Sequence, residues 1–457
     1  MSNPQPFPPR TAAVLRRLRA YESRNITCVD PAGGWPIVWR RARDCHVWDA
    51  DGRRYLDLTA AFGVAAAGHA NPRVVHAGRR QMATLLHAMG DVHPHPLKAD
   101  LARELSRITF ERWGEEGRKA GKQTPAAGSR QAVKAKCLFT NSGFEAVEAA
   151  LKTALLATGR PRVLAFEGGY HGLGYGALTT THREYFRSPF RRQLAEFADF
   201  APYPQHPADL ARVLDAVHAR LRAGATGAVL VEPVQGRGGI RVPPPEFLPA
   251  LRELCDRHGA VLVLDEIYTG FGRTGRWFAG EHFGVVPDLI CLGKALTGGF
   301  PLSACVGRAD LMDAAWPEAT GEALHTSTFL GHPVGCAMAL AQIAEIRRRR
   351  LVARSARLGR WLLRELAGLR TSDYGLRPFV RGLGLMVGVE LRHADGSPAT
   401  AEALRVVKTL LRRGFILLPE GEHANVLSLT PPLTIAEADL RRAVRALGEV
   451  LAEIPTP

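Results

Sequence analysis

The sequence predicts an α/β protein: a large domain built on a mostly parallel sheet, plus a smaller α+β domain. Three observations carry that prediction. Short, nearly unbroken apolar runs such as "GAVLVEPV" (227–234) and "AVLVLDE" (260–266) suit strands buried on both faces of a parallel sheet. These runs alternate with helical text through the middle of the chain. From about residue 340 the text turns helix-rich, with one strand-like stretch, "LGLMVGVEL" (383–391).

The opening "MSNPQPFPPR" is proline-rich and polar, as in a flexible lead-in. "LKADLARELSRITF" has helical spacing and runs into residues 111–136, a polar, glycine-containing stretch read as a surface excursion. "KCLFT" (136–140) is strand-like. It leads into the helical "FEAVEAALKTALLAT", with Phe144, Val147, Leu151, Ala154 and Leu155 on the apolar face and Glu148 paired to Lys152 opposite. "PRVLAFE" (161–167) is the next strand, and "PEFLPALRELCDRHG" is a helix stopped by glycine. The run "RRRR" (347–350) continues into "LVARSARLGRWLLRELAGLR" and reads as the solvated face of an amphipathic helix. The expected division is 1–69 as an N-terminal part of the small domain, 70–340 as the large domain, and 341–457 as the C-terminal small domain.

At 457 residues, 46% apolar and 23% charged, the chain has an ordinary globular composition and room for two packed units. It holds no apolar run long enough to cross a bilayer and no charged-then-apolar leader, so a cytoplasmic protein without a membrane partner is expected. The seven cysteines are odd in number, scattered and never spaced C-x-x-C, which argues against a disulfide framework or a zinc site. A net charge of +16 raises nucleic-acid binding as a rival class. The basic residues are spread along the chain, only eight of the 60 are lysines, and no nucleic-acid motif is present. No nucleic-acid partner is therefore expected.

Parallel sheets bind ligands at the carboxyl ends of their strands. There the polar residues gather: Asn141-Ser142-Gly143 after "CLFT", Glu232 after "AVLV", and Asp265-Glu266 after "VLVL". Ser142 and Gly143 open a helix, which makes them either a simple N-cap or a phosphate site. "EGGYHG" (167–172) sets Tyr170 and His171 in a glycine-rich loop, where an aromatic either packs or stacks on a flat ring. Asp265 ends an apolar run, so its carboxylate needs a partner, in a structural ion pair or on a protonated ring nitrogen. Lys294, in "CLGKALTGGFP", is the lysine in the most apolar setting; desolvation there favours its nucleophilic neutral form. Phosphate cradle, aromatic, buried aspartate and desolvated lysine together fit pyridoxal 5′-phosphate, which uses a lysine Schiff base and an acidic partner for its pyridine nitrogen.

The text "VWDADGRRYLDLTAAFGVAAAGHANPRV" (47–74), "FTNSGFEAVEAALKTA" (139–154), "EPVQG" (232–236), "LDEIYTGFGRTG" (264–275), "PDLICLGKALTGGFPLSA" (287–304), "HTSTFLGHPVGCAMALA" (325–341) and "PPLTI" (431–435) resembles the class III aminotransferases. These are the family of ornithine, 4-aminobutyrate and ω-amino acid:pyruvate aminotransferases. The resemblance spans nearly the whole chain from about residue 30. It implies the fold type I of pyridoxal-phosphate-dependent transferases and a homodimer with shared active sites. It makes Lys294 the Schiff-base lysine and proton carrier, and Asp265 the partner of the pyridine nitrogen. Ser142 and Gly143 would bind the phosphate, Tyr170 would stack on the ring, and Thr328 would reach the neighbouring subunit's cofactor. Glu232 and His171 stand one layer further out; for Glu232 a purely structural role stays open.

Five positions depart from the family text. Phe144 replaces a Thr or Ser beside the phosphate, and Tyr268 a glutamine that contacts the ring's phenolic oxygen. Arg237 and Ser428 stand where ornithine and 4-aminobutyrate enzymes carry a glutamate and its gating arginine, and Phe62 replaces a substrate-contacting tyrosine. Either Arg237 binds a carboxylate from the opposite wall, or it swings into solvent and the pocket takes amines. The expectation is an aminotransferase with an amine or ω-amino acid donor, a pyruvate-type acceptor and a ping-pong mechanism. An aminomutase, racemase or decarboxylase on the same fold is the alternative.

Overall fold

A computed structural model of the chain describes residues 7–25, 34–119, 134–369 and 376–453. Its centre is a seven-stranded sheet made of β4 (Ala135–Thr140), β5 (Arg162–Phe166), β6 (Ala198–Ala201), β7 (Thr226–Val231), β8 (Val261–Asp265), β9 (Leu289–Leu292) and β10 (Ser303–Arg308). The strand order is 4-10-9-8-7-5-6, and only β10 runs against the rest. Every residue of β7, β8 and β9 is buried, as expected for strands covered by helices on both faces. The helix Gly143–Thr158 covers one face through Ala146, Val147, Ala150 and Ala154, and Phe247–His258 covers the other through Leu248, Leu251 and Cys255.

Two four-stranded sheets complete the described chain. One joins β1 (Trp39–Arg43), β2 (His46–Asp49) and β3 (Arg54–Asp57) to the late strand β13 (Phe415–Ile416). The other orders β11 (Arg377–Leu383), β12 (Met386–Arg392), β15 (Val426–Leu429) and β14 (Leu418–Glu420) as 11-12-15-14. Among the described residues no helix is long and apolar enough to cross a membrane. The six described cysteines are free, and Cys28 lies outside the described residues.

Four local expectations are corrected. The lead-in gives way to a helix by Pro9, spanning Pro9–Tyr21 and tied down where Asp51 accepts hydrogen bonds from the Arg10 and Thr11 N–H groups; residues 1–6 lie outside the described part. The stretch 111–136 begins as the helix Arg112–Lys119, because Trp113 buries its ring against Phe110 and Phe278; residues 120–133 lie outside. The arginine run lies on no single helix face. Arg350 takes a left-handed φ of +50° and divides Pro333–Arg348 from Leu351–Ala367. Glu148 and Lys152 are not paired with each other: Glu148 accepts the Ala177 N–H, and Lys152 meets His325 Nδ1 at 3.2 Å.

Candidate active site

The parallel strands β4, β5, β7, β8 and β9 point their carboxyl ends to one edge of the sheet, and a cavity of about 330 Å³ opens there. It is lined by residues that follow each of these strands: Gly143 and Phe144, Tyr170 and His171, Glu232 and Arg237, Asp265 and Tyr268, and Lys294. Thus nine of the thirteen candidates from the sequence face one space.

Lys294 follows β9 with a φ of +36°, a left-handed conformation that a side chain adopts only under constraint. Burial lowers its pKa from the ordinary 10.5; Asp265, Glu232 and Glu420 pull the other way, and Arg237 adds to the lowering. Its Nζ lies 4.1 Å from the centre of the Tyr268 ring. That ring is held between two glycines. A Cβ on Gly63 would come within 2.6 Å of it, and one on Gly236 would clash with its other edge. The Tyr268 hydroxyl meets Thr430 Oγ1 at 3.1 Å, and burial first, then the charge of Glu420, pushes the phenol up to about 12.

Asp265 is almost fully buried at the end of β8. His171 Nδ1 lies 2.8 Å from its Oδ2, and the Ile267 N–H donates to Oδ1 at 3.1 Å. Glu232 accepts from the Tyr170 N–H at 3.0 Å and the Gly236 N–H at 2.8 Å, so it braces two cavity loops. Burial pushes Glu232 up to about 7; His171 works against that and Asp265 with it.

At the start of the helix Gly143–Thr158, Glu145 accepts the N–H groups of Asn141 (2.7 Å) and Ser142 (2.8 Å). Ser142 Oγ is buried and has no hydrogen-bond partner among the described residues. An orphan hydroxyl beside free helix N–H groups fits a phosphate. Together with the sheltered lysine and the buried aspartate, it makes this set of residues fit pyridoxal 5′-phosphate.

Four sequence-derived candidates do not line the cavity. Phe62 is three-fifths exposed, with a φ of +60°. Thr328 is exposed in a turn whose neighbour, Ser327, accepts from Asn141 Nδ2 at 3.3 Å. Ser428 is buried behind the Tyr268 hydroxyl. Ser142 itself is represented at the cavity surface by Gly143.

Arg237 lines the cavity. Its guanidinium lies over the rings of Tyr170 (4.7 Å) and Phe186 (5.6 Å), and its Nε is 3.8 Å from Glu420 Oε2. Sequence reasoning missed Glu420. Its only signal was an acid in the apolar, glycine-ended text "FILLPEG" (415–421).

A family model described as "Aminotransferase class-III" matches residues 30–451. The 2-aminoadipate transaminase of Pseudomonas putida is 34% identical over 431 residues, which cover 92% of this chain and 96% of that one. The acetylornithine aminotransferase of Methanosarcina mazei is 35% identical, covering 91% of this chain and 92% of that one. A crystal structure of an amine transaminase from an uncultivated Pseudomonas species, in a PLP-bound form, is similar with a TM-score of 0.81. It is 28% identical and covers 94% of this chain and 98% of its own.

Proposed function

The chain belongs to the class-III aminotransferases, with pyridoxal 5′-phosphate as cofactor, and from that premise we propose that it moves an amino group from an amine or ω-amino acid to a pyruvate-type carbonyl acceptor. One observation carries the proposal. Lys294 and the His171–Asp265 pair reach the same cavity from separate strand ends.

When bound, the cofactor supplies an electron sink for the carbon that loses its proton. Ser142 Oγ and the N–H groups at the helix start would hold its phosphate. Asp265, fixed by His171, would hold a proton on its ring nitrogen, and Tyr170 would wall one side. Lys294 Nζ, desolvated and so more readily neutral, would take the proton from the donor carbon and return it at the second carbon. Donor and acceptor would use the cavity in turn, which is a ping-pong scheme.

The reading includes a homodimer. Met89, Val92, Leu324 and Phe329 are large apolar side chains left exposed. Their segments are joined by the Thr326–Asp91 hydrogen bond (2.5 Å) and the His87–Phe329 ring contact. An exposed apolar patch beside an active site favours a second subunit over solvent. Thr328, in the same turn, would then complete the partner's phosphate site.

Visible absorption of the holoprotein tests the function. The band of lysine-bound cofactor should bleach with an amine or ω-amino acid, return with pyruvate, and be missing from Lys294→Ala. A protein that takes up no cofactor when supplied with it overturns the reading.

A further inference from the structure

A second cavity, of about 410 Å³, lies between the sheet of β1, β2, β3 and β13 and the helix Glu437–Glu453. It shares no lining residue with the cavity at Lys294. On the sheet side, His46 and Leu56 stand directly opposite in register, and Arg54 is two residues from Leu56, so the three share a face. On the helix side, Arg442, Arg445, Ala446 and Glu449 recur at i, i+3, i+4 and i+7 and form one face. Arg413 and Phe415 complete the lining at the start of β13. Leu56, Phe415 and Ala446 are its buried, apolar part.

Four arginines and one glutamate in one groove leave a surplus of positive charge. Arg413 is taken up by Glu449 at 3.0 Å and Glu453 at 2.6 Å. Arg442 meets Asp439 at 3.3 Å, and its guanidinium lies 5.7 Å from the centre of the Phe415 ring. Arg54 and Arg445 differ. Among the described residues neither has a hydrogen bond, a carboxylate or a ring to meet. His46 feels the surplus: burial lowers its pKa from 6.5, Asp439 opposes that, and Arg54 and Arg442 add to it. A groove lined by one sign of charge focuses its field and draws in counter-ions. Guanidinium forks match phosphate oxygens two at a time, and the volume is that of a small-molecule site. We propose that this groove binds a small anion bearing two phosphate groups, held by Arg54 on the sheet wall and Arg445 on the helix wall. Free pyrophosphate and an organic diphosphate share that chemistry.

The test is equilibrium dialysis of the holoenzyme, its cofactor site filled, against pyrophosphate, inorganic phosphate, sulfate and adenosine diphosphate at equal ionic strength. Pyrophosphate should bind about tenfold or more tighter than sulfate or inorganic phosphate, because only a two-centred anion reaches both arginines. Arg54→Gln combined with Arg445→Gln should weaken pyrophosphate about tenfold or more. A control pair, Arg220→Gln with Arg222→Gln at the end of the helix Leu210–Arg222, removes the same charge elsewhere and should leave that affinity unchanged. All four arginines are exposed, so both double variants should keep the wild-type Tm and visible band. Wild-type affinity for pyrophosphate no better than for sulfate overturns the proposal without any variant. Equal weakening in the two double variants also overturns it, and reduces the effect to the chain's net charge of +16. Undiminished binding in the Arg54/Arg445 variant does the same. Tighter binding of adenosine diphosphate than of pyrophosphate assigns the groove to an organic diphosphate, and the reverse order to the free anion.

Discussion

His171 Nδ1 lies 2.8 Å from Asp265 Oδ2, and the two residues, 2% and 4% exposed, are buried as a pair at the cavity. A buried carboxylate needs hydrogen-bond donors, and among the described residues the one other donor is the Ile267 N–H. His171→Ala removes the side-chain donor. The cofactor-free variant should lose about 1–3 kcal/mol of stability, the cost of leaving a buried acceptor unmet. In the holoenzyme kcat should fall while KM for the amine holds, because His171 positions Asp265 and does not reach the donor. Thermal unfolding reads the first effect and steady-state kinetics the second. Wild-type values in both would remove His171 from the site.

Ser142 Oγ offers a test with opposite signs in the two forms of the protein. Unpartnered and buried, it contributes nothing to the cofactor-free fold, so Ser142→Ala should leave that form's Tm unchanged or raise it. Cofactor affinity should drop about tenfold or more, as expected for one hydrogen bond to a charged group. Titration of the apoprotein with pyridoxal phosphate, read at the visible band, measures it. Equal affinity with a lowered Tm would make Ser142 an ordinary cap residue.

The lowered pKa of Lys294 has a kinetic consequence. The neutral amine is the reactive form, so the rate at which the apoprotein takes up the cofactor should rise with pH, with a midpoint below 10.5. Asp265 is the largest charge opposing the shift. Asp265→Asn removes an anion that favours the ammonium, and should move the midpoint further down. A wild-type midpoint at or above 10.5, or an upward move in the variant, contradicts the assignment of burial as the cause.

What the sequence made legible is what is written locally. Strands buried on both faces leave unbroken apolar text, so β7 and β8 stand out, and the acid that follows or ends each one, Glu232 and Asp265, lines the cavity. The same local logic failed at the arginine run, where a left-handed Arg350 breaks the helix without glycine or proline to signal it. It failed again for Glu148, whose partner is a backbone N–H in the first turn of a later helix, Tyr175–Thr180. Glu420 was invisible for a related reason. Its place beside Arg237 arises from β14 pairing with β15 in a different sheet, and no spacing in the text encodes that meeting.

Thr328 and Lys294 give the sharpest prediction, because their proposed roles fall in different sites of a dimer. Within its own chain Thr328 is exposed and absent from the cavity wall. If it serves the partner's cofactor, then Lys294→Ala and Thr328→Ala subunits should complement one another. In a mixed dimer, one site would lack both its lysine and its threonine. The other would have Lys294 from the Thr328→Ala subunit and Thr328 from its partner, and so would be intact. Unfolding and refolding the two variants together should therefore recover wild-type cofactor affinity and activity in one site of each mixed dimer. Neither variant alone should do so. If Thr328 acted within its own chain, every site in the mixture would lack one residue or the other. No recovery on mixing, with dimers demonstrated by sedimentation, would refute the shared site.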